Sequence, residues 1–127
     1  ELTNEVTMID ADMQRFLKLD KEDFTGKQAT LTQSSQQRSL QLIYFEVDVT
    51  DSDIRGNEPI FLADRCVGLT TSGGYGYAVE KGLGFGYVAP DLSMPGTEFE
   101  IGLLAERCKA RVLDAPAYDP ANKRIRC

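Results

Sequence analysis

The order of apolar and polar residues divides the chain into a helical lead-in and a β-rich remainder. Thr7 with Asp10 three positions later is typical of a helix N-terminus, and the apolar residues that follow recur at the spacing of one helical face. These residues are Ile9, Met13, Phe16 and Leu17. A short amphipathic helix to about residue 19 is therefore predicted, followed by a second short helix at about 25–35 that ends in serine and glutamine.

After residue 38 the period changes to the two-residue alternation of a strand. The first predicted strand, at 40–49, has one fully apolar face and a second face that begins apolar and turns acidic at Glu46 and Asp48. Its apolar positions are Ile43, Phe45, Val47 and Val49 on the first face, and Leu42 and Tyr44 on the second. Further strands are predicted at about 59–63, 66–72, 82–88, 98–104 and 107–113. The predicted fold class is mainly β: a small antiparallel β-barrel of about six strands preceded by two short helices.

The last two predicted strands can be paired as a hairpin. A turn at Ala105-Glu106 would place Glu100 opposite Arg111 and bring the apolar residues together on the other face. The apolar pairs would be Phe99 with Val112, Ile101 with Ala110, and Leu103 with Cys108. Ala-Glu is not a favoured turn dipeptide, so a bulge that shifts this register remains an alternative.

Residues 82–87 (GLGFGY) place glycines on one face of a strand and Leu83, Phe85 and Tyr87 on the other. A bare glycine face admits a close neighbour. That neighbour is either another segment packed inside a narrow barrel, which is the favoured interpretation, or a bound ligand.

Composition and charge narrow the classes of protein. With 127 residues, 42% hydrophobic and 27% charged, the chain has the profile of one globular domain. A net charge of −6 disfavours nucleic acid as a partner. The sequence has no apolar run near the length of a membrane span and no signal peptide, so we expect no membrane partner and a cytoplasmic location, or the mitochondrial matrix in a eukaryote. Because the chain opens at Glu1, we expect it to be a piece of a longer polypeptide.

The residues that usually carry catalysis or bind metals are sparse. The chain contains no histidine, and its three cysteines lack metal-binding spacing, so neither a zinc site nor a His-activated nucleophile is predicted. Cys66 and Cys108 fall within apolar strand patterns and are expected to be buried thiols, whereas Cys127 is expected to be exposed. Ser72 lacks the glycine two positions earlier that a nucleophile elbow requires.

Three further patterns leave alternatives open. Residues 51–62 begin like a calcium loop but place Arg55 at a ligand position, which favours a solvated acidic loop. Arg107, Lys109 and Arg111 share one strand face, which either binds an anion or, as we favour, is balanced by nearby acids. Tyr75 and Tyr77 flank Gly76 and either line a ligand or domain contact or are ordinary surface tyrosines.

Four segments carry a further pattern: residues 23–29 (DFTGKQA), 67–76 (VGLTTSGGYG), 81–88 (KGLGFGYV) and 95–101 (PGTEFEI). In this order they resemble the C-terminal part of the aminomethyltransferases of the glycine-cleavage T-protein superfamily. The SGGYG form at 72–76 and the YDP form at 118–120 are more similar to the dimethylglycine and sarcosine dehydrogenase branch.

The resemblance implies a domain division and a role. Residues 1–37 would be the helical end of an upstream folate-binding region, and 38–127 the C-terminal aminomethyltransferase-type barrel. The parent protein would be an enzyme that uses tetrahydrofolate and FAD, and its upstream folate-binding domain would be the partner of this barrel. The piece itself would be an accessory domain without catalytic or metal-binding residues. Tyr75 and Tyr77 would lie on the folate side or at the domain contact. The alternative function is a free-standing β-barrel that serves as a binding or interaction module.

Overall fold

A computed structural model, which describes residues 1–49, 51–124 and 126, shows six antiparallel strands closed into a barrel. The strands are β1 Gln41–Val47, β2 Pro59–Leu62, β3 Arg65–Gly76, β4 Lys81–Val88, β5 Glu98–Leu103 and β6 Glu106–Val112. One α-helix, α1 at Lys27–Ser34, precedes them, and short 3-10 helices lie at Gln14–Phe16 and Pro90–Leu92. The strand order around the barrel is β1-β4-β3-β2-β5-β6, and β6 pairs with β1. The predicted mainly β barrel is confirmed.

The core is built from alternate positions of the strands, as the two-residue period requires. In β1 the residues Ile43, Phe45 and Val47 are buried, which confirms the predicted inner face. They pack with inward residues of the other strands and with Ile54 of the β1–β2 loop, whose side chain lies against Gly73 of β3 and Gly84 of β4. The remaining core residues are Ile60, Val88, Phe99, Ile101, Leu103, Ala110 and Val112.

The glycine face of β4 points into the barrel. A Cβ atom on Gly84 would lie 2.7 Å from Cζ of Phe45 and 2.8 Å from Cδ1 of Ile54, and one on Gly86 would lie 2.9 Å from Cδ1 of Ile60. Core side chains therefore occupy the space that the glycines leave open. Close packing explains this pattern, and the large residues of β4 alternate with the glycines and so lie on the outer face of the barrel.

The first predicted helix is wrong, although its N-terminal hydrogen bonds form. The Thr7 amide and hydroxyl donate to Oδ2 of Asp10 at 3.1 and 2.6 Å, but the turn stops at Asp12, whose φ is 55°. The segment instead packs on the barrel, burying Ile9 and accepting a 2.9 Å hydrogen bond from the Leu42 amide at the Asp10 carbonyl. Tertiary contacts thus override the local helical period. The second helix is confirmed as α1.

The predicted β5–β6 turn at Ala105-Glu106 is also wrong. The turn residues are Leu104 and Ala105, with φ values of 45° and 70°, so that Leu103 pairs with Glu106 and Glu98, rather than Glu100, pairs with Arg111. The true register differs from the predicted one by two residues. Because side chains alternate with a period of two, an even offset leaves the same residues on the buried face.

Candidate functional site

One part of the outer barrel surface carries ion pairs. Nη2 of Arg111 lies 2.7 Å from Oε1 of Glu46, and Nη1 of Arg107 lies 3.5 Å from Oε2 of Glu100. Lys81 pairs with Asp48, whose hydrogen bond and negative charge raise the pKa of that lysine. These pairs border an open depression of about 550 Å³, and Lys109 also lines it. The basic row is therefore neighboured by acids on β1 and β5, which favours the interpretation of a solvated, balanced face.

Another part of the outer surface carries aromatic side chains. Tyr44 of β1 lies opposite Phe85 of β4, with ring centroids 5.0 Å apart. A groove of about 400 Å³ runs beside this pair, and no charged side chain lines it. We call it the aromatic groove and define it by Tyr44, Tyr75, Leu83, Phe85 and residues 72–74, 76 and 84.

Tyr75 and Tyr77 occupy different positions relative to this groove. Tyr75 lines it and is 39% exposed, whereas Tyr77 lies just beyond the end of β3 and is 85% exposed. The two rings meet edge to face with centroids 5.1 Å apart. A Cβ on the intervening Gly76 would lie 2.8 Å from Cδ1 of Leu83, so glycine lets the β3 end approach β4 closely.

Sequence reasoning did not single out Tyr44 and Phe85 as site residues. The sequence places Tyr44 on the second face of its strand and Phe85 on the face opposite the glycines, but their proximity depends on the β1–β4 register, in which Tyr44 pairs with Phe85. The available signal was that both residues are aromatic at outward positions. Only the strand pairing shows that they share one surface.

A second cleft of about 1080 Å³ continues from the aromatic groove, because Tyr44 and Phe85 line both. Its other walls include the N-terminal segment at 11–16 and the start of the C-terminal segment at 114–116. The Leu113 amide donates to the Tyr44 carbonyl at 2.8 Å, and the Ala117 amide lies 3.5 Å from the Tyr44 hydroxyl. The residues that follow β6 therefore continue alongside Tyr44 of β1.

The first residue of the chain lies at the same side of the barrel. The Tyr87 hydroxyl donates to the Glu1 carbonyl at 3.2 Å, and the Ser72 hydroxyl donates to the Glu1 carboxylate. Burial raises the pKa of Tyr87, with a further contribution from the negative charges of Asp10 and Glu1. Ser72 therefore binds a surface carboxylate in this structure and borders the aromatic groove.

The thiols differ from expectation at one position. Cys66 is exposed, so its predicted burial is wrong. It is the second residue of β3, next to the β2–β3 turn, where the side chains of β3 are not yet buried. Cys108 is half-buried, and burial, followed by the charges of Glu106 and Asp48, raises its pKa. Cys127 lies outside the described residues. Within the described chain, no group of three potential ligands is placed to hold a metal ion, and no helix has the length and apolar character to cross a membrane.

Comparison with known proteins places this barrel in a family. The chain belongs to the glycine cleavage T-protein C-terminal barrel domain family, whose model matches residues 41–119. It is 34% identical over 98% of its length to the mitochondrial dimethylglycine dehydrogenase of Mus musculus. It is also 32% identical over 93% of its length to the aminomethyltransferase of Natranaerobius thermophilus. The fold resembles the crystal structure of glycine cleavage system aminomethyltransferase T from Bartonella henselae, with a TM-score of 0.81 and 25% identity over 94% of this chain.

These relatives are much longer than the chain. It spans 15% of the mouse dehydrogenase, 32% of the Natranaerobius aminomethyltransferase and 34% of the Bartonella protein. The chain therefore corresponds to the C-terminal domain of aminomethyltransferase-like proteins, and its relatives carry an additional N-terminal part.

Proposed function

We propose that the chain is the C-terminal accessory domain of a tetrahydrofolate-dependent one-carbon transfer enzyme of the FAD-linked dimethylglycine and sarcosine dehydrogenase type. The observation that carries the proposal is the similarity to dimethylglycine dehydrogenase over 98% of the chain. This similarity includes the lead-in before the matched barrel at 41–119. It therefore supports residues 1–37 as the end of an upstream folate-binding region joined to a barrel at 38–127. The compartment we propose is the cytoplasm, or the mitochondrial matrix in a eukaryote.

The residues of this chain fit only part of a folate site. The pyrimidine half of the reduced pterin and the aminobenzoyl ring of tetrahydrofolate are planar and stack well on aromatic side chains, which the aromatic groove offers at Tyr44, Tyr75 and Phe85. The glutamate tail of folate is anionic and needs cationic partners, yet the groove lining contains none. We therefore propose that Tyr75, with Tyr77 beside it, lines the folate side or the domain contact, and that the upstream domain supplies the remaining contacts.

The residues of this chain do not fit FAD. A dinucleotide needs a glycine-rich turn that opens a helix, so that amide groups face the phosphates. The glycines of β4 instead point into the core, and the strand is followed by a single 3-10 turn at Pro90–Leu92. In this proposal FAD is bound upstream, and the barrel contributes shielding and support, without a catalytic residue of its own.

Expression of the complete reading frame that contains this chain tests the proposal. We expect the long polypeptide to purify with a flavin absorbance spectrum, to oxidise dimethylglycine and to bind tetrahydrofolate. The 127-residue chain, as the matched control, should bind tetrahydrofolate weakly or not at all in a calorimetric titration. A reading frame without an upstream flavin or folate region, together with a stable barrel that ignores folate, would instead support the free-standing binding module.

A further inference from the structure

We infer that two copies of the protein associate by strand addition at the free edge of β3, forming a symmetric dimer through residues 73–75. The inference goes beyond the proposed function and does not depend on it, because it concerns the backbone of one strand and involves no folate or flavin contact.

The free edge arises because β3 is much longer than its neighbour β2. β2 pairs with the first part of β3, and the last pair in this direction is Pro59 with Leu69. The loop before β2 extends the contact to Thr70, which exchanges backbone hydrogen bonds with Asn57 and Glu58 at 2.8 and 2.9 Å. β4, in contrast, follows β3 to the end of the strand. In the described part of the chain, residues 72–76 therefore have a neighbouring strand on one side only.

The orientation of the backbone groups at this edge follows from the strand register. Thr70 turns its amide and carbonyl away from β4, toward the loop before β2. The register shift after Thr70 places two residues opposite Phe85, as in a β-bulge. Because backbone groups alternate along a strand, the next residues that face away from β4 are Gly73 and Tyr75. Both are exposed, and within the described chain neither forms a backbone hydrogen bond beyond the β3–β4 pair, so the edge offers two amides and two carbonyls to another strand.

This edge lacks the usual protection against strand pairing. Exposed edges are commonly blocked by lysine, by proline or by an inward-pointing charge. Residues 72–76 (SGGYG) contain no charged residue and no proline. Three of the five residues are glycines, so an approaching strand reaches the main chain with few side chains to displace.

The edge is complementary to itself. When two copies pair antiparallel about a twofold axis at Gly74, Gly73 of each copy lies opposite Tyr75 of the other. Both residues face the edge, so each of the two pairs exchanges two hydrogen bonds. The residue opposite Tyr75 has no side chain, so the tyrosine ring keeps its space. The two copies then share one sheet in the order β4-β3-β3-β4.

The charges beside the edge favour a second copy over an unrelated strand. Antiparallel pairing brings the β3–β4 turn of one copy, at 77–80, toward the loop before β2 of the other. That loop lies beside β3, because a Cβ on Gly56 would be 2.5 Å from the Thr71 carbonyl oxygen. The turn carries Glu80 and the loop carries Arg55, both exposed, and neither side chain forms an ion pair within the described chain. The twofold axis therefore places opposite charges near each other at both ends of the paired strands.

Disulfide trapping in the polypeptide expressed from the complete reading frame tests this inference. In the inferred pairing the two copies of Gly74 form the non-hydrogen-bonded pair on the axis, with Cα atoms about 4.5 Å apart, which a disulfide can span. A Cβ on Gly74 meets nothing within 4 Å, so Gly74→Cys should fold and form an intermolecular disulfide under mild oxidation. Tyr77→Cys, at a position that is 85% exposed, is the matched control and should stay largely unlinked. Peptide mass spectrometry identifies the linkage, and equal linkage of the two variants, or none, would overturn the inference.

Sedimentation velocity over a concentration series provides the second readout. The unsubstituted polypeptide should pass from monomer to dimer. Tyr75→Pro removes one edge amide from each copy but leaves the β3–β4 ladder intact, so it should weaken the dimer by about tenfold. Tyr77→Ala removes the neighbouring exposed ring and should leave the dimer unchanged. A protein that stays monomeric at every concentration, or a dimer that Tyr75→Pro does not weaken, contradicts the inference and leaves the proposed function untouched.

An exchange of charges tests how the second copy is placed. Arg55→Glu should weaken the dimer by about fivefold, because it sets two like charges against each other at both ends of the paired strands. Combining Arg55→Glu with Glu80→Arg restores the opposite charges and should restore the dimer. If the double variant associates as weakly as Arg55→Glu alone, the pairing about Gly74 is wrong.

Discussion

Glu58 and Thr70 are joined by two reciprocal hydrogen bonds: the Thr70 hydroxyl donates to the Glu58 carboxylate and accepts the Glu58 amide at 3.0 Å. The carboxylate also accepts the amides of Arg55 and Gly56 at 3.0 and 2.9 Å. Thr70 is 1% exposed, so this pair ties the β1–β2 loop to the interior of β3. The same loop carries Ile54 into the core, which makes the pair a stabilising clamp for the end of the barrel.

Thr70→Val should lower the free energy of unfolding by about 1–3 kcal/mol, because the shape is retained while a partly buried carboxylate oxygen and an amide lose their partner. The matched control is Thr71→Val. Its hydroxyl makes only an exposed 3.3 Å contact with Glu1, so a change below about 0.5 kcal/mol is expected. Urea unfolding measures both variants, and equal destabilisation would contradict the clamp.

The same carboxylate should make stability depend on acid pH. Partial burial alone raises the pKa of Glu58, but the hydrogen bonds from the Thr70 hydroxyl and the loop amides outweigh it and hold the pKa below its ordinary value of 4.5. The unfolded state then binds the proton more readily, so this contribution is present above that value and is lost as pH falls through the lower folded pKa. Glu58→Gln should reduce the acid-side loss of stability. Glu22→Gln, in the exposed connector, is the control for the removal of one negative charge.

Two glycines of β3 should respond oppositely to the same substitution. A Cβ on Gly68 would lie 2.1 Å from the backbone oxygen of Tyr87, so Gly68→Ala should cost about 3 kcal/mol or more through displacement of β4. A Cβ on Gly74 would meet nothing within 4 Å, so Gly74→Ala should be neutral or stabilise by about 0.5 kcal/mol. Thermal unfolding separates the two. If Gly68→Ala unfolds like the wild type, the close β3–β4 approach is incorrect.

Substitutions in the β5–β6 turn should make the barrel more stable. Leu104 and Ala105 both have positive φ, which costs free energy for residues with a Cβ, and Leu104 is 84% exposed. Replacing the pair by Leu104→Asn and Ala105→Gly supplies the residues that such turns favour and should stabilise the barrel by about 1–2 kcal/mol. Ala115→Gly, where φ is not positive, should destabilise or have no effect. A double variant that is no more stable than the wild type would contradict the turn geometry.

The thiols should differ in reactivity. Cys66 is exposed, whereas burial and nearby negative charges raise the pKa of the half-buried Cys108, so less of it is thiolate near neutral pH. In a Cys127→Ser background, alkylation by iodoacetamide at pH 7.5 should modify Cys66 about tenfold faster than Cys108. Peptide mass spectrometry measures both rates, and faster modification of Cys108 would refute the assignment of the buried thiol.

The local sequence pattern was sufficient to predict the barrel strands but not the lead-in conformation or the β5–β6 turn. Residues such as Ile43, Phe45 and Val47 reveal the inner face of β1 because strand alternation is a property of consecutive residues. The predicted helix failed at Asp12, where packing of Ile9 on the barrel decides the conformation. The hairpin register failed because Leu104-Ala105 carries no turn signal.

The candidate site was predicted only in part, because only some of its residues are close to one another in the sequence. Tyr75 and Tyr77 stand out because they flank a glycine within one loop, and Tyr75 does line the groove. Tyr44 and Phe85 come together through pairing between β1 and β4, which β2 and β3 separate in the sequence. Such long-range register cannot be derived from the local period of either strand.

Closure of the barrel also has a consequence for synthesis on the ribosome. β1 is the first strand made, yet its partner β6 includes Val112, near the end of the chain, and the two share the pairs Phe45–Val112, Glu46–Arg111 and Val47–Ala110. Until that late segment emerges, the nascent chain presents an unsatisfied strand edge beside Phe45. Chaperones would be needed most during this interval, and a stop codon shortly before residue 110 should yield an aggregating product rather than a smaller domain.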